Sequence, residues 1–194
     1  MTETTDFWAG SFGNEYTQRN KPRWEDRVPF WKDIVEATNA ETFLDVGTNR
    51  GFNLMALRSL NAEYQMSGVD VNREALNEAA AAGLDVLEGS AADVFNLFGP
   101  NCADLCITSG VLIHIAPADL EASMRSIIAA SKRYVVCIEY EADAETEVVY
   151  RGHSGRLWRR PFGRLYEGLG LKVVEYQQNA AGFDKCAAWI LSKE

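Results

Sequence analysis

The stretch Asp45-Val46-Gly47-Thr48-Asn49-Arg50-Gly51-Phe52-Asn53-Leu54 decides how this chain is read. It begins inside Thr42-Phe43-Leu44-Asp45-Val46, an apolar run that reads as a buried strand. It then enters a helix over residues 52–60, with Phe52, Met55 and Leu60 on or near one face. Strand, glycine turn and helix in that order form the first unit of an α/β sheet, and the turn lies outside the carboxyl end of the strand, where such sheets hold ligands. Gly47 and Gly51 let the backbone approach a ligand closely, and Asn49 is the non-glycine residue that best tolerates left-handed dihedrals. Asp70, 19 residues beyond Gly51, ends the next strand, where a carboxylate can accept from both hydroxyls of a ribose.

Outward from this unit, strand and helix signals alternate. Residues 64–71 read as a second strand, 73–82 as an alanine-rich helix closed by Gly83, 84–87 as a short third strand and 104–108 as a fourth. Pro117 opens a helix that runs to 131, and 133–140 is a fifth strand. A helix over 161–169 precedes strands at 171–176 and 186–191, whose connection is too short for a covering helix, so they pair as an antiparallel hairpin. The fold class is α/β, a doubly wound, mostly parallel seven-stranded sheet with an antiparallel last strand. Upstream, Trp24, Val28, Trp31 and Val35 have the spacing of a helix face, whereas residues 7–20 carry aromatics and glycines without a clean period. Residues 1–40 are expected to form an arm and helix that act as a lid, and 41–194 the ligand-binding domain.

Composition bounds the function. A chain of 194 residues, 47% hydrophobic and 24% charged, has one domain's core and is neither disordered nor fibrous. Its formal charge of -9 repels phosphate backbones and argues against nucleic acid as a partner. No apolar run approaches the roughly 20 residues of a membrane span, and the amino end lacks a secretory signal. A cytoplasmic monomer or homodimer with no membrane partner and a small-molecule substrate is expected. Cys102, Cys106, Cys137 and Cys186 lack metal or disulfide spacing and only two histidines exist, so no metal site is expected and the thiols read as buried and inert.

The nucleoside-binding turn lacks the G-x-G-x-x-G pattern that a pyrophosphate needs. An acid before the first glycine, Asp45, suits a ligand with an ammonium-bearing amino acid tail, which points to S-adenosylmethionine. Over residues 42–192 the sequence resembles the class I S-adenosylmethionine-dependent methyltransferases, whose Rossmann-like sheet has the same reversed strand. More narrowly, the 47–54 turn, the arm Phe12-Gly13-Asn14-Glu15-Tyr16-Thr17-Gln18-Arg19-Asn20 and Gly110-Val111-Leu112-Ile113-His114-Ile115-Ala116-Pro117 look like the methylases associated with pseudaminic acid biosynthesis. The resemblance implies Asp45, Gly47, Asn49 and Gly51 around the methionine moiety, Asp70 on the ribose, and Ser90 and Ala91 beside the adenine. Most relatives carry an acid where Ser90 stands. Tyr16 and Arg19 of the arm either contact the cofactor or pin the arm to the domain.

His114 follows the fourth strand and Glu139 and Tyr140 end the fifth, all at the rim where a methyl acceptor would lie. His114, His153 and Glu139 are the candidate catalytic groups, a histidine near pKa 6.5 being suited to take a proton at neutral pH. Five of the chain's 13 arginines fall within residues 151–164, interleaved with aromatics. Such a run is either a solvated face or a clamp for an anion, and with Tyr140 and Tyr150 it assigns Arg151 and Arg156 to an acceptor site. The expected function is methyl transfer to an oxygen or nitrogen of a small anionic or nucleotide-linked acceptor, possibly a sugar. A non-catalytic S-adenosylmethionine-binding module and a nicotinamide-dependent oxidoreductase are the alternatives.

Overall fold

In the computed structural model, which describes residues 2–193, strands β1 (Thr42–Val46), β2 (Gln65–Asp70), β3 (Asp85–Glu88), β4 (Ala103–Ser109) and β5 (Ser131–Glu139) run parallel. Two short strands, β6 (Thr146–Glu147) and β7 (Trp158–Arg159), form a separate ribbon, and β8 (Lys172–Gln177) and β9 (Ala187–Ser192) complete the main sheet. The sheet order is β3-β2-β1-β4-β5-β9-β8, and β9 lies antiparallel to both of its neighbours. The doubly wound sheet with a reversed last strand is thus present as expected.

Side chains alternate across the central strands, and each face carries its own core. Phe43, Leu105, Ile107, Val136 and Ile138 pack with helices α3 (Val28–Thr38) and α4 (Phe52–Leu60). Leu44, Val46, Cys106, Val135 and Cys137 pack on the other side with α7 (Pro117–Ala130) and α8 (Phe162–Gly168). Between them in sequence, α5 (Arg73–Ala81) and α6 (Val94–Phe98) connect the outer strands. Each fully buried Leu, Ile or Phe stabilises such a layer by about 1.5 to 3 kcal/mol. Among the described residues, no helix is long and apolar enough to cross a membrane.

Three expectations are corrected. The aperiodic arm is two short helices, α1 (Glu3–Ala9) and α2 (Ser11–Arg19), folded on each other at Gly10. Neither carries one apolar stripe, because their aromatics stack among themselves: Phe7 on Phe12 at 4.2 Å between ring centroids, Trp8 on Phe12 and on Tyr16 at 5.4 Å each. The arginine-rich segment is not an open clamp, since it contains β7 and the fully buried Arg160. Finally, Cys102 is exposed, while the other three thiols are buried and free.

Candidate functional site

A cavity of about 240 Å³ opens at the carboxyl ends of β1, β2 and β4, under the α1–α2 pair. Its floor is the predicted turn. The amides of Gly47 and Thr48 both donate to the Val69 carbonyl, at 2.7 and 3.0 Å, which hooks the turn onto β2. Gly47 has φ +73°, and a Cβ there would lie 2.2 Å from Val111 Cγ2, so only glycine lets the turn and the loop after β4 meet. Asn49 occupies the left-handed region at φ +49°, as its side chain allows. Its amide donates to Asp70 Oδ2 at 2.8 Å while the Asn72 amide donates to Oδ1 at 2.8 Å. Burial raises the pKa of Asp70 in spite of these bonds. The carboxylate lines the cavity with lone pairs to spare.

Other residues of the expected cofactor set separate into lining and supporting groups. Ser90 and Ala91 line the cavity; Ser90 donates from both Oγ and its amide to Asp93 Oδ2, at 2.6 and 3.0 Å. Gly51 does not line it: a Cβ there would lie 2.1 Å from Leu84 Cδ1, so this glycine serves packing of α4. Asp45 also stands behind the wall, buried, accepting from Thr48 Oγ1 at 2.8 Å and Asn53 Nδ2 at 3.2 Å. Burial pushes its pKa up to about 6. Asn53 passes the contact on, accepting at Oδ1 from Arg27 Nη1 at 2.8 Å, and both Asn53 and Arg27 line the cavity. Sequence reasoning missed this pair, because Arg27 sits on the polar side of a helix start and its partner lies 26 residues away.

The α1–α2 pair roofs the cavity with Trp8, Gly13, Tyr16 and Asn20. Asn72 pins it by donating from Nδ2 to the Trp8 carbonyl at 3.1 Å and to Asn14 Oδ1 at 2.7 Å; Asn49 Nδ2 donates to Thr17 Oγ1 at 3.0 Å. Tyr16 is therefore in the site, and burial raises its pKa to about 12. Arg19 is not; its guanidinium lies 4.9 Å from the Phe12 ring centroid and pins the roof. A Cβ at Gly13 would fall 1.8 Å from the Trp8 carbonyl oxygen and 2.7 Å from Asn72 Nδ2. Gly13→Ala is expected to loosen this roof, overpacking of that kind costing about 1 to 3 kcal/mol. Trypsin should then cut faster at Arg19 and Arg23, and an unchanged cleavage rate would show that the roof is not held at Gly13.

The loop after β4 is held from two sides. Glu139, fully buried, accepts from the amides of Val111, Leu112 and Ile113 at 3.1, 3.0 and 3.3 Å. Arg160 donates to the carbonyls of Leu112 and Ile115 at 2.8 and 2.9 Å. Glu139 is thus corrected from a catalytic candidate to a support whose carboxylate does not reach the cavity. Burial pushes its pKa up to about 7. The folded protein then retains a proton that the unfolded chain releases, so this group's contribution to stability is present below about pH 4.5 and is lost as pH rises towards 7. His114, with its pKa depressed to about 4 by burial, acts in the opposite sense, losing its contribution as pH falls from 6.5. The difference in melting temperature between wild type and Glu139→Gln, followed from pH 4.5 to 7.5, is expected to change in favour of the variant as pH rises. A constant difference would refute the assignment.

His114 lines the cavity beside Trp8, their ring centroids 4.4 Å apart. Its Nδ1 is 2.6 Å from the Arg156 carbonyl, which can only accept, so Nδ1 carries the proton and Nε2 is left as an acceptor. The other acceptor-site candidates lie outside the cavity. His153 is exposed and meets the rings of Phe7 and Phe12. Arg156 pairs with Glu3 and lies 4.7 Å from the Phe7 ring centroid, fastening α1 to the β6–β7 ribbon. Arg151 is exposed at φ +50° in the ribbon's tip, Tyr150 stacks near His114 at 5.2 Å, and Tyr140 donates to Asp184 Oδ2 at 3.2 Å.

Residues 44–136 match the family model described as a methyltransferase domain. The match spans just under half of the chain. The complete sheet has the Rossmann-like class I methyltransferase fold. Among solved structures, magnesium protoporphyrin IX methyltransferase from Synechocystis PCC 6803 with bound S-adenosylhomocysteine is similar, with a TM-score of 0.75 at 13% identity over 98% of each chain. The 1,6-didemethyltoxoflavin-N1-methyltransferase of Burkholderia thailandensis, with 1,6-didemethyltoxoflavin and S-adenosylhomocysteine bound, gives 0.70 at 15% identity over 97% of this chain and 85% of that one. A SAM-dependent methyltransferase from Archaeoglobus fulgidus gives 0.69 at 13% identity over 95% and 100%. These are likenesses of fold. No curated protein sequence matches the chain.

Proposed function

We propose that this protein is an S-adenosylmethionine-dependent methyltransferase for a small acceptor. The observation that carries the reading is the Asp70 carboxylate, fixed by two backbone amides on the wall of a cavity whose floor is the glycine turn of the stretch that matches a methyltransferase domain. The cofactor is S-adenosylmethionine, which supplies a methyl group already activated on a sulfonium. Asp70 binds the ribose, Gly47 admits the ligand to close approach, and Ser90 and Ala91 flank the base. Trp8 and Tyr16 exclude water from above. The chain's own task is alignment, an effect able to supply about 7 to 11 kcal/mol.

His114 gives the acceptor a fixed hydrogen-bond partner at Nε2. A base of pKa about 4 removes a proton poorly at pH 7, so the site best suits an acceptor whose reacting atom is nucleophilic unaided and which has a proton to donate to Nε2, such as an unprotonated nitrogen bearing an N–H. An anionic or nucleotide-linked acceptor, a sugar nucleotide of the pseudaminic acid type included, meets its cations at residues 21–23 and not at the arginine run. Lys21 and Arg23 are exposed on either side of the lining residue Pro22. The same reading makes the protein cytoplasmic, with no nucleic acid partner.

Titration calorimetry with S-adenosylhomocysteine and, separately, NAD tests the cofactor assignment. Binding of the first alone is expected; binding of NAD alone would restore the oxidoreductase reading. Screening sugar nucleotides and small carboxylic acids for production of S-adenosylhomocysteine separates an enzyme from a binding module.

A further inference from the structure

We propose that Arg27 receives the carboxylate of the cofactor's amino acid tail, and that the connection between β8 and β9 holds it in position. The inference rests on the cofactor reading above. Arg27 ends a short 3-10 turn, Trp24–Arg27, and lines the cavity. Its guanidinium is engaged on one corner only, Nη1 donating to Asn53 Oδ1 at 2.8 Å. Nε is buried without a hydrogen-bond partner, and Arg27 has no ion pair among the described residues. The unused Nε–Nη2 edge is the side of a guanidinium that binds a carboxylate through two parallel hydrogen bonds. A buried donor left unsatisfied destabilises the protein, and a bound carboxylate removes that cost.

The position of that edge is set from behind. The Phe183 ring centroid lies 4.6 Å from the Arg27 guanidinium carbon. Phe183 is buried and packs edge-on against Phe30 and Trp31 at 5.1 and 6.3 Å, which ties it to the sheet face under α3. Gly182, at φ +85°, presses on the backbone of the 3-10 turn; a Cβ there would lie 2.6 Å from the Asp26 carbonyl oxygen and 3.1 Å from Arg27 Cα. The connection is itself tight, with Ala180 and Cys186 exchanging hydrogen bonds through Phe183 at 2.8 to 3.1 Å. From the front, Asn53 is fixed by the buried Asp45. Asp45 therefore acts on the tail at one remove, by orienting Asn53 and through it Arg27, rather than by touching the ammonium.

The test compares two ligands that share adenosine and sulfur and differ in the tail: S-adenosylhomocysteine and 5′-methylthioadenosine, which has no carboxylate. Arg27→Gln is expected to weaken the first about 10- to 100-fold, the range of a lost charged hydrogen-bond partner, and the second less than about threefold. Arg27→Lys should recover part of the difference between the ligands, and Phe183→Leu should lose part of it with Arg27 intact. Equal weakening of both ligands by Arg27→Gln would make Arg27 a structural residue and overturn the proposal, as would unchanged binding of S-adenosylhomocysteine. Failure of the wild-type protein to bind either ligand would instead remove the cofactor reading.

Discussion

Arg160→Met is expected to lower stability by about 3 kcal/mol or more, which for a chain of this size is a fall of about 6 to 12 °C in melting temperature. Arg160 is fully buried, and its three nitrogens donate to Glu145 Oε2 at 2.7 Å and to the carbonyls of Leu112 and Ile115. Burial lowers its pKa, with Glu145 opposing, and an arginine remains charged under such shifts. Methionine fills the volume of the aliphatic stem but satisfies neither carbonyl, and an orphaned buried acceptor costs about 1 to 3 kcal/mol. The loss also frees the loop that carries Val111 and His114, so S-adenosylhomocysteine should bind more weakly to whatever remains folded. Arg159→Met is the control: Arg159 is exposed beside it, and a surface change of this kind stays within about 0.5 kcal/mol. Equal melting temperatures for the two variants, measured by calorimetry at neutral pH, would mean that Arg160 is a spectator.

The arginine run shows where the sequence stops being informative. Its five cations look alike as text, yet the fold buries one, fastens the arm with a second and leaves Arg151, Arg159 and Arg164 in solvent. What separates them is the alternation of a two-residue strand and the position of backbone carbonyls 45 and 48 residues away, neither of which has a local signature. Glu139 is a related case. Its place at the end of β5 was legible, because a run of Val and Ile on a buried strand has few other readings. Which way the carboxylate turns depends on three amides of the loop after β4, 26 to 28 residues earlier in the chain, that have no other acceptor. The spacing of Asp45 and Gly51 fits ligand contacts, but spacing cannot distinguish a wall from the layer behind it. By contrast the βα units, the turn at Gly47 and the reversed last strand follow from periodicity and connection length alone, and the structure has them within a few residues of the expected bounds.

Asp70→Ala should weaken S-adenosylhomocysteine by about 1.5 to 3 kcal/mol, or roughly 10- to 150-fold, in a protein that still folds. Part of that loss is indirect, because the carboxylate also holds the amides of Asn49 and Asn72, and the turn loosens when both lose their acceptor. The direct part is isolated with a ligand whose ribose lacks both hydroxyls. Wild type should bind such an analogue much more weakly than S-adenosylhomocysteine, whereas Asp70→Ala should bind the two almost alike, since nothing is left to read the hydroxyls. The pH dependence has a definite sign as well: hydroxyls donate to the ionised carboxylate, burial raises its pKa above the usual carboxylate value, and affinity should therefore fall on acidification in wild type but not in the variant. A variant that still prefers the full ribose over the analogue by the wild-type margin would move ribose recognition away from Asp70 and take the central observation behind the cofactor reading with it.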